Sequence, residues 1–433
     1  MDVYLQLLEH NLKEKYNLSD KIISLYKETI EEIQPYINHI DKLSELNQLK
    51  VISAMTEANL SDFHLTESTG YGYGDIGREA IEQIYSLVFK ADNAIVRPQI
   101  VSGTHAITVC LFGLLRPNDT IVSVMGSPYD TLKNVIIGEN CGSLKEYNIG
   151  YSEVALTNEG KPDLNGIRNS IKDNTKMVLI QRSRGYSLRG ALTIDEIAFL
   201  IKYIKNIHND IIIFVDNCYG EFVDIKEPTE VGADLLAGSL IKNIGGGIAP
   251  TGGYIVGKDE LIEQCSYRAT APGLGKNCGP SLSTNRLLLQ GLYFAPFVVG
   301  EALKGAIFTS RILEKAGFKV YPKYNEPRGD IVTSVVLGDE EKLIHFCRGI
   351  QKTGPVDSKL TPEPWGMPGY NHKVIMAGGS FIQGSSIELS ADGPLREPYA
   401  VYIQGGTNLL HAKLGVLNAL QELADHGLWN LDN

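Results

Sequence analysis

The spacing of apolar positions changes along the chain, and its first stretch is helical. Apolar residues in "DKIISLYKETIEEIQPYI", residues 20–37, recur at the intervals of one helix face, and Pro35 stands near an end. We therefore predict a helical N-terminal arm over residues 1–60.

From about residue 75 to 257, helical patterns alternate with short runs that are almost wholly apolar. Such runs, alternating with helices, predict an α/β fold with a mainly parallel sheet that helices cover on both faces. Ligands of such sheets bind beyond the carboxyl ends of the strands. The predicted helices are 74–89, 103–115 and 193–207, and the predicted strands are 94–101, 119–126, 176–181, 211–216 and 254–257.

After about residue 300 the pattern changes to that of a smaller α+β domain. A helix followed by a strand is predicted over 300–320, and a Pro- and Gly-rich stretch over 354–371 predicts a long loop. Strands over 372–382 and 385–392 precede a closing helix over 408–427. We expect a large domain over 61–300 and a small domain over 301–433.

Composition narrows the classes of partner. The chain has 433 residues and a net charge of −11, and an acidic protein is an unfavourable partner for nucleic acid. We see no continuous apolar run of membrane-spanning length and no apolar signal-peptide core at the start. The six cysteines are scattered without a C-x-x-C pair, so we expect neither a metal site nor a disulfide scaffold. A cytoplasmic protein without a membrane partner is expected.

The first junction with candidate chemistry is "IVSGTHAITV", residues 100–109. A predicted strand ends at Val101, Gly103 allows close approach of the backbone, and a helix begins near Thr104. Free amides and the helix dipole make this junction a candidate anion site, to which the hydroxyls of Ser102 and Thr104 add. An ordinary Ser/Thr helix cap is the alternative.

The second junction is "IIIFVDNCYGEF", residues 211–222. Here a very apolar strand delivers Asp216 at its carboxyl end, where a carboxylate is costly unless a cation or proton lies against it. A helix cap or turn is the alternative. Magnesium–nucleotide chemistry would need a phosphate loop, but Lys242 precedes Gly245 and its two following glycines, which is the wrong order.

The third junction is "GSLIKNIGGGIAPTGGYIVG", residues 238–257, which places Lys242 in a glycine-rich loop between strands. The glycines predict room for a cofactor and for a closely approaching chain. A lysine, the Asp216 carboxylate and an anion-binding helix start are together what pyridoxal phosphate requires. This cofactor binds a lysine through its aldehyde, a carboxylate through its ring nitrogen, and backbone amides through its phosphate.

A family resemblance rests on "VSGTHAI", "DNCYGEFV", "GSLIKNIGGGIAPTGGYI" and "IELSADGPLREPY", in motifs spread over residues 71–406. Their order resembles the fold-type I pyridoxal-phosphate enzymes of cysteine and methionine metabolism. Within that group they resemble the aluminium-resistance or methionine gamma-lyase family proteins, described as cystathionine beta-lyases. The resemblance implies a seven-stranded sheet sandwiched by helices, bound pyridoxal 5'-phosphate, and a homodimer or homotetramer.

The resemblance also implies roles for single residues. Lys242 matches the Schiff-base lysine and Asp216 the partner of the pyridine nitrogen. Gly103, Thr104 and Ser239 match the residues that hold the phosphate.

Aromatic and cationic residues complete the implied cofactor site. Tyr129 matches the tyrosine that stacks on the ring and protonates a leaving group, unless it is a packing residue of its loop. Tyr73 and Arg78 stand where relatives place a tyrosine and an arginine that reach the phosphate of the neighbouring subunit. A plain glycine-rich turn is the alternative for that segment.

The substrate carboxylate calls for an arginine, because paired N–H groups fix its orientation. Arg396 is favoured, since relatives place this arginine late in the small domain, and Arg182 and Arg184 are further candidates. Ser183 or Arg184 would contact the phenolic oxygen of the cofactor.

Two further residues near these motifs receive structural roles. We expect His105 to pack or cap, and Cys218 to be a small buried residue near the ring.

The resulting functional hypothesis is a carbon–sulfur lyase that uses pyridoxal phosphate. Its substrate would be a small sulfur-containing L-amino acid of the cystathionine or methionine type, and its products a thiol, ammonia and a 2-oxo acid. An aminotransferase or aldolase on the same fold is one alternative. A non-catalytic protein that binds the same cofactor is another.

Overall fold

The computed structural model describes residues 3–367 and 369–430. Its helices are α1 (Val3–Tyr16), α2 (Asp20–Glu57), α3 (Ile76–Phe89), α4 (Gly103–Leu114), α5 (Asp130–Ile137), α6 (Leu164–Ser170), α7 (Ile194–Ile207), α8 (Asp259–Ala269), α9 (Asn285–Lys315), α10 (Glu340–Gln351) and α11 (Leu409–Asp425).

The described residues also form thirteen strands, which are interspersed with these helices along the chain. They are β1 (Asn93–Arg97), β2 (Thr120–Ser123), β3 (Gly150–Glu153), β4 (Thr175–Gln181), β5 (Ile212–Asp216), β6 (Leu235–Ser239), β7 (Gly253–Gly257), β8 (Lys319–Tyr321), β9 (Thr333–Val336), β10 (Trp365–Gly366), β11 (Lys373–Gly378), β12 (Ser390–Pro394) and β13 (Ala400–Gln404).

The first sheet has seven strands in the order β1-β7-β6-β5-β4-β2-β3. The pairs β2–β3, β2–β4, β4–β5 and β5–β6 are parallel, whereas β7 runs antiparallel to both of its neighbours. The prediction of a mainly parallel α/β sheet is thereby confirmed.

Helices cover both faces of this sheet because apolar side chains point in both directions from each strand. Ile255 of β7 packs in the core with Ile107 of α4. Its neighbour Tyr254 points the opposite way and stacks on Phe89 of α3, with ring centroids 5.3 Å apart. A strand buried on both faces is therefore apolar at nearly every position.

The second sheet has six antiparallel strands in the order β10-β11-β12-β13-β9-β8. It forms, with α10 and α11, the α+β part expected in the C-terminal region. The predicted strand over 385–392 was wrong in its bounds, because β12 begins only at Ser390.

The helical prediction for the N-terminal segment was wrong in one detail, since Pro35 lies inside α2 and not near its end. A proline removes one N–H from the helix and leaves one carbonyl without its donor. Both Pro35 and Glu31, whose carbonyl loses its donor, are exposed, so water can satisfy that group.

By its internal contacts the chain divides into two compact units. One contains Leu43–Phe297 and Arg328–Asp330, and with them the seven-stranded sheet. The other contains the N-terminal segment to Lys42, Val298–Pro327 and the segment from Ile331 onward. The domain limits expected from sequence, 1–60, 61–300 and 301–433, stay a prediction.

Helix α9 is long and apolar enough to cross a membrane by length and composition alone. In its most apolar 18-residue window, 72% of the window is buried inside the protein, as is usual for a helix in a protein core. The expectation that no such helix exists was therefore too simple, because mean hydropathy can be high without an unbroken apolar run.

We predict that Gly245→Ala lowers the free energy of unfolding by about 3 kcal/mol or more. A Cβ at Gly245 would stand 1.6 Å from the carbonyl oxygen of Leu240, so the backbone itself would have to move. Thermal unfolding of the full chain measures the change. Gly366→Ala, where a Cβ meets nothing within 4 Å, is the control. Equal melting temperatures for the two variants would contradict the packing described.

Candidate functional site

The candidate site lies at the carboxyl ends of the central strands of the seven-stranded sheet. Asp216 is the last residue of β5, between Gln181 at the end of β4 and Ala237 of β6. Ser239 ends β6 and the loop to Lys242 follows at once. Parallel neighbours thus bring residues that are far apart in sequence to one edge.

Asp216 is buried, with 5% of its surface exposed, and its Oδ1 accepts the backbone N–H of Cys218 at 3.2 Å. Burial raises the pKa of Asp216 above its ordinary value, although the charge on Lys242 lowers it. The carboxylate therefore gains from any further cation or N–H that comes against it.

Lys242 is only partly buried, and its Nζ lies 3.9 Å from the centre of the Tyr219 ring. Among the described residues, Nζ makes no hydrogen bond or ion pair. Burial opposes its charge, but Cys218 and Tyr219 outweigh this and raise the pKa of Lys242 above its ordinary value. The amine is thus held in place without being tied to a carboxylate.

The start of α4 is an ordinary helix cap and also offers amides to an anion, so it combines the two alternatives that the sequence left open. The Ser102 hydroxyl accepts the N–H of His105 at 3.0 Å, which is an ordinary helix cap. The first bond within the helix is made by Ala106 to the Ser102 carbonyl, so the amides of Gly103 and Thr104 precede it. Such amides remain available to an anion.

Gly103 brings this helix start against the ends of β5 and β6. A Cβ at Gly103 would stand 3.0 Å from Cys218 Sγ and 3.3 Å from the Cβ of Ser239. The phosphate-binding residues inferred from resemblance, Gly103, Thr104 and Ser239, are therefore gathered in one place.

Tyr129 joins the same group from the loop before α5. Its hydroxyl lies 3.0 Å from Thr104 Oγ1, and its backbone N–H donates to Gln181 Oε1 at 3.2 Å. Burial above all, and then the charge of Asp216, raise the pKa of Tyr129 well above its ordinary value. The phenol therefore stays protonated at neutral pH and can donate a proton.

These groups fit pyridoxal phosphate by their chemistry. A lysine amine without a competing carboxylate, a buried carboxylate that favours a cationic partner, and free helix-start amides match its aldehyde, ring nitrogen and phosphate. The partial exposure of Lys242, Tyr129 and Thr104 leaves this group open to a ligand.

The segment around Tyr73 and Arg78 has a different structure. Tyr73 is 61% exposed and stacks on Tyr71. The Arg78 guanidinium is buried and donates to the carbonyl oxygens of Gly72 at 2.6 Å and Gly279 at 2.8 Å. Within its own chain Arg78 holds a loop together, and the expected contact of both residues with a neighbouring phosphate stays a prediction.

In the cation-rich segment after β4, each of the two buried arginines lies against a buried acidic side chain. Arg182 is wholly buried; it donates to Asn217 Oδ1 at 2.8 Å and lies 3.7 Å from Glu227 Oε2. Arg184 Nε lies 3.5 Å from Asp330 Oδ2, which also accepts the Ser183 hydroxyl at 2.8 Å.

These pairings bear on the substrate and cofactor roles suggested by sequence. Arg182 Nη1 is taken up by a buried amide and carboxylate of the fold, while its Nε and Nη2 have no hydrogen-bond partner among the described residues, so its suggested role at the substrate stays a prediction. The roles of Arg184 and Ser183 stay predictions.

Arg396 lies in the turn between β12 and β13. Its backbone N–H donates to the carbonyl of Pro394, and its carbonyl accepts the N–H of Tyr399, both at 2.8 Å. It belongs to the unit with the six-stranded sheet. Its assignment to the substrate carboxylate stays a prediction.

Sequence reasoning missed Tyr219 and Glu221, which follow Asp216 closely. Tyr219 has a φ of 70°, a strained conformation for a bulky residue, beneath the Lys242 amine. Glu221 is wholly buried, its Oε1 accepts the Tyr254 hydroxyl at 2.7 Å, and its Oε2 has no hydrogen bond within the described residues. A glutamate among apolar neighbours in "YGEFV" was the available signal.

The glycines after Lys242 serve close approach of the backbone. Gly246 has a φ of 56°, and a Cβ there would lie 2.4 Å from the carbonyl oxygen of Gly291. A Cβ at Gly245 would strike the Leu240 carbonyl. The loop that carries Lys242 is thus packed directly on other main chain.

Comparison with known proteins places the chain in a family. The sequence profile named methionine gamma-lyase matches residues 22–424. The YnbB protein of Bacillus subtilis is 50% identical over 406 residues, which cover 92% of this chain and 96% of YnbB. An L-methionine gamma-lyase of Treponema denticola is 23% identical over 242 residues, which are 55% of this chain and 52% of that one.

Solved structures agree with this placement. A carbon-sulfur lyase involved in aluminum resistance from Clostridium novyi has a TM-score of 0.92 and 51% identity, over 96% of this chain and 98% of that one. The pyridoxal-5'-phosphate-dependent protein YhfS of Escherichia coli, at 17% identity and a TM-score of 0.60 over 89% of this chain and 97% of that one, shares the fold.

We predict that Glu221 makes the stability of the protein fall as the pH rises. Burial raises the pKa of Glu221 to about 8, so its proton stabilises the fold fully below about pH 4.5 and progressively less as the pH approaches 8. Glu221→Gln keeps an acceptor for Tyr254 but cannot ionise. Relative to the wild type, the free energy of unfolding of this variant should rise by on the order of 4 kcal/mol between pH 5 and pH 9.

Thermal and denaturant unfolding across this pH range measures the difference. Glu159→Gln, at an exposed position, is the control and should follow the wild type throughout. Parallel profiles for wild type and Glu221→Gln would show that Glu221 does not hold a proton in the folded protein.

Proposed function

We propose, on the premise that this chain belongs to the methionine gamma-lyase family of pyridoxal-phosphate-dependent enzymes, that it is a carbon–sulfur lyase acting on a sulfur-containing L-amino acid. The observation that carries the proposal is the meeting of Lys242, Asp216 and the start of α4 at one edge of the sheet. Relatives named as carbon-sulfur lyase and L-methionine gamma-lyase support the reaction class.

The residues of the site divide the work of holding the cofactor. When bound, pyridoxal phosphate supplies an aldehyde that bonds to amines and a ring that draws electrons from the substrate's α-carbon. Asp216 would bind the ring nitrogen and favour its protonated form, which would lower the cost of burying the Asp216 carboxylate. Gly103, Thr104 and Ser239 would bind the phosphate through amides and hydroxyls.

Lys242 and Tyr129 move protons. Lys242 Nζ would hold the aldehyde of the cofactor and, as a free amine, would take the proton from the substrate α-carbon. The Tyr129 hydroxyl, neutral at working pH, gives its proton to the departing sulfur. The carbon–sulfur bond breaks, a thiol leaves, and addition of water releases ammonia and a 2-oxo acid.

We also propose that the chain acts as a homo-oligomer. Helices α2 and α9 present exposed apolar side chains in the unit of the seven-stranded sheet, and the Gln48 amide, which donates to the Tyr293 carbonyl at 3.0 Å, ties these helices together. Leu49 is 60% exposed and Phe297 54%. A second copy of the chain would cover such side chains, together with the exposed Tyr73.

The function is tested by incubating the cofactor-supplemented protein with L-methionine, L-cystathionine and related amino acids. We expect thiol, ammonia and 2-oxo acid in equal amounts, and a loss of at least a thousandfold in Lys242→Ala. Lys202→Ala, at an exposed position, should retain full activity. Amino-group transfer to an added 2-oxo acid without thiol would favour an aminotransferase, and cofactor binding without turnover of any amino acid a binding protein.

The oligomer is tested by light scattering on variants of the exposed apolar residues. Leu49→Lys and Phe297→Lys should shift the mass toward that of a single chain, because each places a charge in the shared surface. Phe381→Lys, in the other unit and at a position that is 75% exposed, should leave the mass unchanged. A wild-type protein that runs as a monomer at micromolar concentration would refute the proposal.

A further inference from the structure

A cluster of metal-ligating side chains lies between α10 and α11, within the unit that holds the six-stranded sheet. His345 of α10 places Nδ1 3.3 Å from Glu422 Oε1 of α11. His426, just after α11, places Nδ1 3.7 Å from the same oxygen. One ligand atom of each residue lies within 4.8 Å of those of the other two.

The helices supply this arrangement through their spacing. Glu422 and His426 are four residues apart, so both side chains lie on one face of the helical turn. The rings of His345 and His426 lie close together, with centroids 3.9 Å apart, and both reach the same carboxylate. Two imidazoles and one carboxylate thus converge from two elements.

We propose that His345, Glu422 and His426 bind a divalent transition-metal ion of the zinc class, which joins α10 to α11. Imidazole nitrogen and carboxylate oxygen are the ligands such ions take, and three of them leave a fourth position for water. The three ligand atoms lie within 4.8 Å of one another, so one ion can contact all three after small movements of the side chains. The proposal is independent of the function proposed for the chain.

The surroundings of the cluster support an ion. The side chains of His345 and Glu422 are 12% and 7% exposed, whereas that of His426 is 45% exposed, so solvent reaches the site from one side. His426 Nδ1 also lies 2.9 Å from the Glu422 carbonyl oxygen. A ring N–H donated to that oxygen fixes the ring and leaves Nε2 as the nitrogen that binds the ion.

Lys352 modifies the site from its rim. Its ammonium pairs with Glu422 Oε2, which leaves Oε1 for the ion. Its positive charge also repels a cation, so its removal should strengthen binding. A simple cluster of ion pairs would show no such strengthening when the Lys352 charge is removed.

Titration of the full-length, cofactor-supplemented chain with zinc chloride at pH 7.5, followed by calorimetry, tests the proposal. We expect saturable binding of one ion per chain at micromolar concentration. His345→Gln and His426→Gln, which keep polar side chains of similar size, should weaken it at least tenfold. His39→Gln, at an exposed position, should not change it, and Lys352→Met should strengthen it severalfold.

The pH dependence distinguishes a bound ion from a cluster of ion pairs without metal. The charged partners of Glu422 among the described residues are His345, His426 and Lys352. Zinc should raise the melting temperature more at pH 7.5 than at pH 5.5, because protons compete for the imidazoles. In an ion-pair cluster both histidine variants would lose stability most at pH 5.5, with or without zinc. That result, or zinc binding that neither variant weakens, would overturn the proposal.

Discussion

The site depends on one constraint, the burial of the Asp216 carboxylate at the end of a strand that is apolar on both faces. Such a group is stable only where a cation, a protonated nitrogen or N–H donors meet it. The backbone of Cys218 and the charge on Lys242 supply part of this, and burial still raises the pKa of Asp216. Because the cost of burying this carboxylate is only partly offset, a protonated ring nitrogen would bind to it favourably.

Two other buried ionisable side chains of this unit, Arg182 and Glu221, have partners within the fold, which separates them from Lys242. Arg182 has Asn217 and Glu227, and Glu221 has the Tyr254 hydroxyl. These pairs fix the loops that surround the ends of β4 and β5. Lys242 instead rests on an aromatic ring, and its loop is packed so tightly on main chain that its position cannot drift.

Much of this could be predicted because it follows from local pattern. Continuous apolar runs gave the central strands, and polar residues at their ends gave Asp216, Lys242 and Thr104 as neighbours. The burial and pairing of Arg182 could not be predicted, because its partner Glu227 is remote in sequence and comes close only in the folded protein. Nor could the strained Tyr219, since its φ depends on the packing around Lys242.

The central claim, that Lys242 carries the cofactor, is tested most directly by covalent mapping. The protein is supplemented with pyridoxal phosphate and reduced with borohydride, which makes the lysine–cofactor bond permanent. Mass spectrometry of its peptides then locates the modified residue. One phosphopyridoxyl group per chain is expected on the peptide containing Lys242. A label on another lysine, or none, would contradict this claim.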